Sequence, residues 1–200
     1  MPSTARKGRS KPRSSGASAA PAAERIVLTG FMGSGKSTIG RSLAQRLSWA
    51  FVDLDTFIEQ REGRAVPRIF AESGEAAFRA METAALASSL EQSLLVVALG
   101  GGALETPANR RALSTATQTT TILLTASFDT LYDRCQQQIV AAAGSPLPIR
   151  PLLGDREAAA ARLARRDVHY RRTADLILDT TGQHPEESVL ALLTLLESIL

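Results

Sequence analysis

The octet Gly30-Phe31-Met32-Gly33-Ser34-Gly35-Lys36-Ser37 fits the pattern G-x-x-x-x-G-K-[ST] at every position. Glycines let such a backbone curl so that successive N–H groups point at phosphate oxygens, and the helix that follows adds the positive end of its dipole. Lys36 would reach the β- and γ-phosphates, and Ser37 would offer a hydroxyl to Mg2+. The candidate phosphate contacts are therefore Gly33, Ser34, Gly35, Lys36, Ser37 and Thr38, and the implied ligand is a magnesium nucleoside triphosphate. A chance Gly-rich turn is the bland alternative, but an apolar run precedes the octet and a helical pattern follows it.

Three further groups of residues could do chemistry. Asp53-Leu54-Asp55 places two carboxylates at the end of an apolar run: one could hold Mg2+ through water while the other takes a hydroxyl proton. Read structurally, Asp55 is instead an N-cap for Thr56-Phe57-Ile58-Glu59. Arg79 and Glu82 lie three apart on one helical face, either as a surface ion pair or as a guanidinium steadied for a substrate carboxylate. Gly100-Gly101-Gly102 follows an apolar strand, either as a loose turn or as a backbone lying close to a ligand.

The elements that must carry these residues alternate. Arg25–Thr29, Ala50–Asp53, Leu94–Leu99, Thr120–Leu124 and Leu176–Leu178 read as strands. Helical patterns run from the phosphate loop to about Leu47, over Gly74–Ser89, from Thr106-Pro107, from Ser127 to about Val140, from Asp155 to about Thr173, and from Pro185 onward. Ala141–Gly154 holds three Pro and two Gly and reads as a loop. Strands separated by helices imply an α/β fold in three layers, a five-stranded parallel sheet with helices on both faces.

At 200 residues with 44% hydrophobic side chains, the chain suits one domain with a real core. No apolar run approaches the ~18–20 residues of a membrane span, and Ala19–Ala23 is too short and weakly apolar for a signal-peptide core. The single cysteine, Cys135, excludes an intrachain disulfide and is far in sequence from His169 and His184. The expected setting is cytoplasmic, with no membrane partner. The net charge of +3 belongs to the first 23 residues, where Arg6, Lys7, Arg9, Lys11 and Arg13 face no acidic residue; without these five, 18 basic side chains stand against 20 acidic ones, a net of −2. A nucleic-acid-binding fold would carry its basic excess on the domain, so no nucleic-acid partner is expected. Residues 1–24 lack any apolar periodicity and read as a disordered basic tail; Pro2 and Pro12 and the missing amphipathic stripe argue against a transit peptide. Lys36 is the only lysine after Lys11, and a lone Lys in an Arg-biased chain marks a place for a compact point charge.

Together these residues resemble the shikimate kinase family, P-loop kinases of small molecules. The motifs occur in order: the loop with Gly33-Ser34-Gly35-Lys36-Ser37-Thr38, Asp53 and Asp55, Phe78-Arg79 with Glu82, Gly100–Gly102, Arg150-Pro151-Leu152-Leu153, Arg166 with Tyr170, and Asp179-Thr180 with Pro185. The resemblance covers Arg25 to about Leu200 and implies one kinase domain over 25–200 with a mobile lid at about 141–155. It also implies the roles. Asp55 contacts and deprotonates the acceptor hydroxyl; Arg79 and Arg166 clamp the shikimate carboxylate; Gly100, Gly101 and Gly102 line the ring. Ser37 binds Mg2+ directly and Asp53 through water; Arg150 closes over the phosphates, with Lys36, as a catalytic cation. Arg134 packs on adenine, and Gln183 and Pro185 form the adenine edge. The implied protein is a monomer that takes ATP and shikimate. It departs from the family pattern in the tail before Arg25 and in the Ala/Pro-rich stretch Cys135–Ile149. Two other readings remain: a gluconate or nucleoside-monophosphate kinase, and a phosphate-loop module without catalysis.

Overall fold

The five apolar runs pair as one parallel sheet. In the computed structural model, which describes residues 23–141 and 155–197, β1 (Arg25–Thr29), β2 (Ala50–Asp53), β3 (Leu95–Ala98), β4 (Thr119–Thr125) and β5 (Leu176–Asp179) lie in the order β2-β3-β1-β4-β5. Parallel neighbours need crossovers, and helices supply them: α1 (Lys36–Leu47), α2 (Leu54–Glu62), α3 (Val66–Leu90), α4 (Pro107–Thr115), α5 (Phe128–Ala141), α6 (Arg156–Thr173) and α7 (Pro185–Leu196). β1, at the centre of the sheet, and its neighbour β3 are buried at every position, as sheets covered on both faces require.

Alternation along β1 divides the core in two. Val27 faces Leu54, Ile58, Phe78, Leu86 and Tyr170 from the helices of one face. Ile26 and Leu28 face Ile39 and Leu43 of α1 and Val189, Leu192 and Leu196 of α7 on the other. The three-layer expectation is met. No helix among the described residues is long and apolar enough to cross a membrane.

Helix starts follow the caps available. The Asp155 side chain accepts from the N–H groups of Glu157 and Ala158, and His184 forms a reciprocal capping box with Glu187 ahead of Pro185. Thr106 occupies its cap position without a side-chain bond. α2 is capped by Asp53, which accepts from Thr56 N–H at 3.3 Å, so Asp55 is not the cap but lies in the first helical turn. The helix expected from Gly74 begins earlier, at Val66, with Pro67 in its first turn; Gly74 (φ 80°, ψ 166°) is a kink inside α3.

The tail boundary also moves. Ala23 is 7% exposed, and Glu24 is bound into the amino edge of the sheet. Its N–H donates to Gln118 O, and its carbonyl accepts from Leu95 N–H. Its carboxylate accepts from Ser93 Oγ at 2.7 Å and Gln118 Nε2 at 2.9 Å. Next to it, Arg25 is nearly buried, its guanidinium donating to Thr119 Oγ1, Gln92 O and Thr117 O. Residues 1–22, 142–154 and 198–200 lie outside the described residues, and with them most of the expected tail, the segment expected to form a lid, and Arg150.

A chain beginning at Arg25 should therefore melt a few degrees below one beginning at Ala23. It loses several hydrogen bonds of Glu24, each worth ~1 kcal/mol, and ~1 kcal/mol moves the Tm of a domain this size by roughly 2–4 °C. Equal Tm values in parallel thermal melts would show that Glu24 contributes nothing.

Candidate active site

All the candidate chemistry leaves the sheet at its carboxyl edge. The phosphate loop follows β1, Asp53 ends β2, and the glycine triplet follows β3. Gly33 (φ 78°) packs so tightly that a Cβ there would run into Leu131 O and Cys135 Sγ on α5. Cys135 is thus a packing residue behind the loop, 2% exposed. Gly35 stands in the left-handed region as the N-cap of α1. Lys36 Nζ donates to Gly30 O and Phe31 O, both at 2.9 Å, so it crosses the mouth of the loop. Ser34 is buried, and Ser37 and Thr38 are exposed at the start of α1. Ser37 Oγ donates to Asp53 Oδ2 at 2.5 Å, bringing the two candidate metal ligands together. Asp53 holds this position because its other oxygen caps α2.

Asp55 faces the glycine triplet. A Cβ on Gly100 would lie 2.5 Å from Asp55 Oδ1 and 2.7 Å from Glu82 Oε1, so only a glycine lets both carboxyl groups approach the backbone there. Glu82 is wholly buried. Its Oε2 accepts from Arg79 Nη1 at 2.8 Å, and its Oε1 has no hydrogen-bond partner. Burial pushes the Glu82 carboxyl up to about 7; the Arg79 charge pulls the other way and the Asp55 charge adds to the rise. The pair is therefore no surface ion pair. Arg79 also donates to Glu75 Oε1 at 3.2 Å, and its guanidinium lies against Gly102, where a Cβ would overlap it.

Arg166 closes the opposite side. It is 8% exposed, while the side chain of neighbouring Arg165 is 65% exposed, which settles which of the two faces inward. Around the position a Gly101 Cβ would take stand Arg166 Nη1 at 3.7 Å, Met32 N at 3.8 Å and Gly30 O at 3.9 Å. Gly101 thus lies between the arginine and the phosphate loop. Tyr170, one helical turn from Arg166, donates its hydroxyl to Gly101 O; burial pushes this hydroxyl well above the ordinary tyrosine value.

A groove of about 380 Å³ opens on the far side of the phosphate loop, lined by Gly33, Thr38, Arg134, Gln137, Gln183 and Pro185 among others. Arg134 donates to Thr180 Oγ1, Thr180 O and Gln183 O, tying α5 to the turn after β5. Ser188 Oγ donates to Gln183 Oε1 at 2.8 Å and orients that amide.

Thus every candidate site residue within the described part is brought to one edge, in two groups flanking Lys36: Asp55, Arg79, Gly100, Gly101, Gly102 and Arg166 on one side, and Thr38, Arg134, Gln183 and Pro185 on the other. Sequence reasoning missed Glu105, which contacts both Arg165 and Arg166, and Gln137 and Ser188 in the groove. None belongs to a short motif with its partner. Among the described residues no cluster of three or more His, Cys, Asp or Glu could hold a metal alone. One carboxylate beside one hydroxyl suits Mg2+ that arrives with phosphate oxygens and keeps its waters.

Comparisons with known proteins place the whole chain. The family model described as shikimate kinase matches residues 32–197. The shikimate kinase of Geobacter metallireducens is 39% identical over 175 residues, spanning 86% of this chain and 91% of its own length. That of Geobacter sulfurreducens is 41% identical over 172 residues, 84% of this chain and 88% of its own. Among solved structures, shikimate kinase from Acinetobacter baumannii in complex with shikimate superposes with a TM-score of 0.78 at 31% identity, covering 88% of this chain and 94% of that one. With a matching model over most of its length and relatives of this identity and coverage, the chain belongs to the shikimate kinase family.

Proposed function

We propose that the chain transfers the γ-phosphoryl group of ATP to a ring hydroxyl of shikimate, giving ADP and shikimate 3-phosphate. The observation that carries this reading is the convergence of Asp55, Arg79 and Arg166 on the Gly100–Gly102 backbone, with Arg166 Nη1 and the phosphate-loop atoms Met32 N and Gly30 O all within 4 Å of the open side of Gly101. Two guanidiniums and one carboxylate around a glycine floor suit a compact hydroxylated ring bearing one carboxylate. A nucleotide acceptor would need room for a base and a second phosphate.

In this reading the N–H groups of Gly33, Ser34 and Gly35 cradle the β-phosphate. Lys36 leaves the carbonyls of Gly30 and Phe31 for the β- and γ-oxygens, where a fixed cation stabilises charge that develops as the phosphoryl group moves. Thr38, Arg134, Gln183 and Pro185 take the adenosine end in the groove. Arg79 and Arg166 bind the acceptor carboxylate, which directs the opposite ring hydroxyl toward Asp55. Asp55 accepts that hydroxyl's proton at its carboxylate. Ser37 directly, and Asp53 through water, would hold Mg2+, which neutralises phosphate charge when bound. Arg150 adds a further cation over the phosphates on the strength of its motif alone. Much of the rate then comes from positioning. The enzyme works as a cytoplasmic monomer, without nucleic acid or membrane.

An ADP-release assay with shikimate, gluconate and AMP side by side tests the acceptor. Turnover with shikimate alone is expected. Comparable kcat/KM with gluconate or AMP would replace the acceptor, and no turnover with any would favour a non-catalytic phosphate-loop module.

Asp55→Asn and Asp53→Asn should fail differently. Asn at 55 keeps size and hydrogen bonding but cannot take the proton, a loss of ~10²–10⁴ in kcat, at the low end if proton transfer comes late in a loose transition state. Asn at 53 weakens the hold on Mg2+, so added magnesium should restore part of the rate there and none at 55. A kcat titration against Mg2+ with the opposite pattern would reverse the two roles.

Glu82 carries a pH dependence of stability. Its folded-state value is raised to about 7 from an ordinary 4.5, so the folded protein binds the proton more tightly than the unfolded chain. Protonation therefore favours folding, and that advantage is full below ~4.5 and lost as pH rises through ~7, a difference on the order of 3 kcal/mol. Glu82→Gln cannot ionise. The Tm of the parent minus that of Glu82→Gln should fall between pH 5 and pH 8; a flat difference would mean that Glu82 is ionised throughout.

A further inference from the structure

Arg166 reaches the acceptor pocket with one edge of its guanidinium already engaged. Its Nε donates to Glu105 Oε2 at 2.8 Å, and its Nη2 lies 2.7 Å from the same oxygen. The remaining nitrogen, Nη1, is the atom nearest the open side of Gly101. The other oxygen of Glu105 accepts from Arg165 Nε and Nη2 at 3.1 and 3.0 Å. Glu105 ends the single turn of 3-10 helix, Ala103–Glu105, that follows the glycine triplet. Tyr170, one turn along α6, bonds Gly101 O, so α6 and the segment 100–105 are joined on both sides of Arg166.

We propose that Glu105 is a positioning residue of the acceptor site: by occupying the Nε–Nη2 edge of Arg166 it turns Nη1 toward Gly101 as the donor for the acceptor carboxylate. This rests on the reading that Arg166 binds that carboxylate. The physical reason is conformational. A free arginine samples many rotamers, and freezing them at the moment of binding weakens affinity; Glu105 freezes them in the folded protein. The opposing effect is Coulombic, since a negative charge beside Arg166 repels an incoming carboxylate. Arg165 offsets it. Burial works to raise the Glu105 carboxyl, but the hydrogen bonds and charges of Arg166 and Arg165 outweigh it and hold the group below the ordinary value. The three side chains together remain net positive, and orientation decides.

The test is a double-mutant cycle read by calorimetric titration of shikimate and, separately, of ATP, on the full chain. Glu105→Gln should raise the shikimate Kd roughly tenfold and leave the ATP Kd unchanged. Arg166→Ala should raise the shikimate Kd roughly ten- to hundredfold. Adding Glu105→Gln to Arg166→Ala should change nothing further, because the effect passes through Arg166. If Glu105→Gln leaves shikimate binding unchanged or tightens it while Arg166→Ala weakens it, Glu105 does not position the arginine. An equal loss in both backgrounds would mean a general structural effect and also overturn the proposal. If Arg166→Ala itself leaves shikimate binding intact, the acceptor reading fails and the proposal with it. Should Glu105→Gln not fold, Glu105→Asp, too short to span both guanidiniums, is read in the same way.

Discussion

The register of β1 against β3 and β4 sets where the loops leave the sheet. Leu28 pairs with Ala98 on one side and Ile122 on the other, so the phosphate loop and the glycine triplet emerge from neighbouring strands at one level. Asp53 pairs with Ala98 from β2, which places its carboxylate beside the start of α1. Ligands of open α/β sheets bind outside the carboxyl ends of the strands for this reason: parallel strands point all their C-terminal loops the same way. A one-residue slip of β3 would put Gly100 where Leu99 stands and separate Asp55 from the triplet.

Space at the triplet then governs the electrostatics. Charged groups taken out of water need partners at close range. Here two carboxyls, Asp55 and Glu82, and one guanidinium, Arg79, press against glycine backbone that no side chain could share. Both arginines at the triplet are held by acids, Arg79 by buried Glu82 and exposed Glu75, and Arg166 by Glu105. The arrangement aims both guanidiniums inward. Its cost is visible in Glu82, which leaves one oxygen unpartnered and whose carboxyl burial pushes up to about 7. Buried carboxyls with displaced proton affinity concentrate at working sites because the requirements of binding, not of folding, put them there.

The groove side is built differently. Arg134 is consumed by the turn after β5, donating three hydrogen bonds to Thr180 and Gln183, so that α5 and α7 close around a polar slot. A side chain so engaged offers a flat, fixed face more than a free charge.

Much was legible in the sequence. The phosphate loop, the Asp53/Asp55 pair, the Arg79–Glu82 spacing and the glycine triplet are local patterns, and strand and helix periodicity located the elements around them. Local chemistry also marked Asp155 and Pro185 as helix starts. The misses share a cause. The readable helix began only at Gly74, a kink the chain crosses, because packing on both sides of a bend outweighs the propensity of one residue. Glu24 carried no pattern, because its partners Ser93 and Gln118 lie far along the chain. Asp53, not Asp55, caps α2, because the helix begins at Leu54 and the side chain that reaches Thr56 N–H is the one just before it. Glu105 is 61 residues from Arg166. Periodicity and motif spacing record which groups a short segment can present; only strand register and helix packing decide which distant groups meet, since those contacts depend on closing long loops that no local pattern encodes.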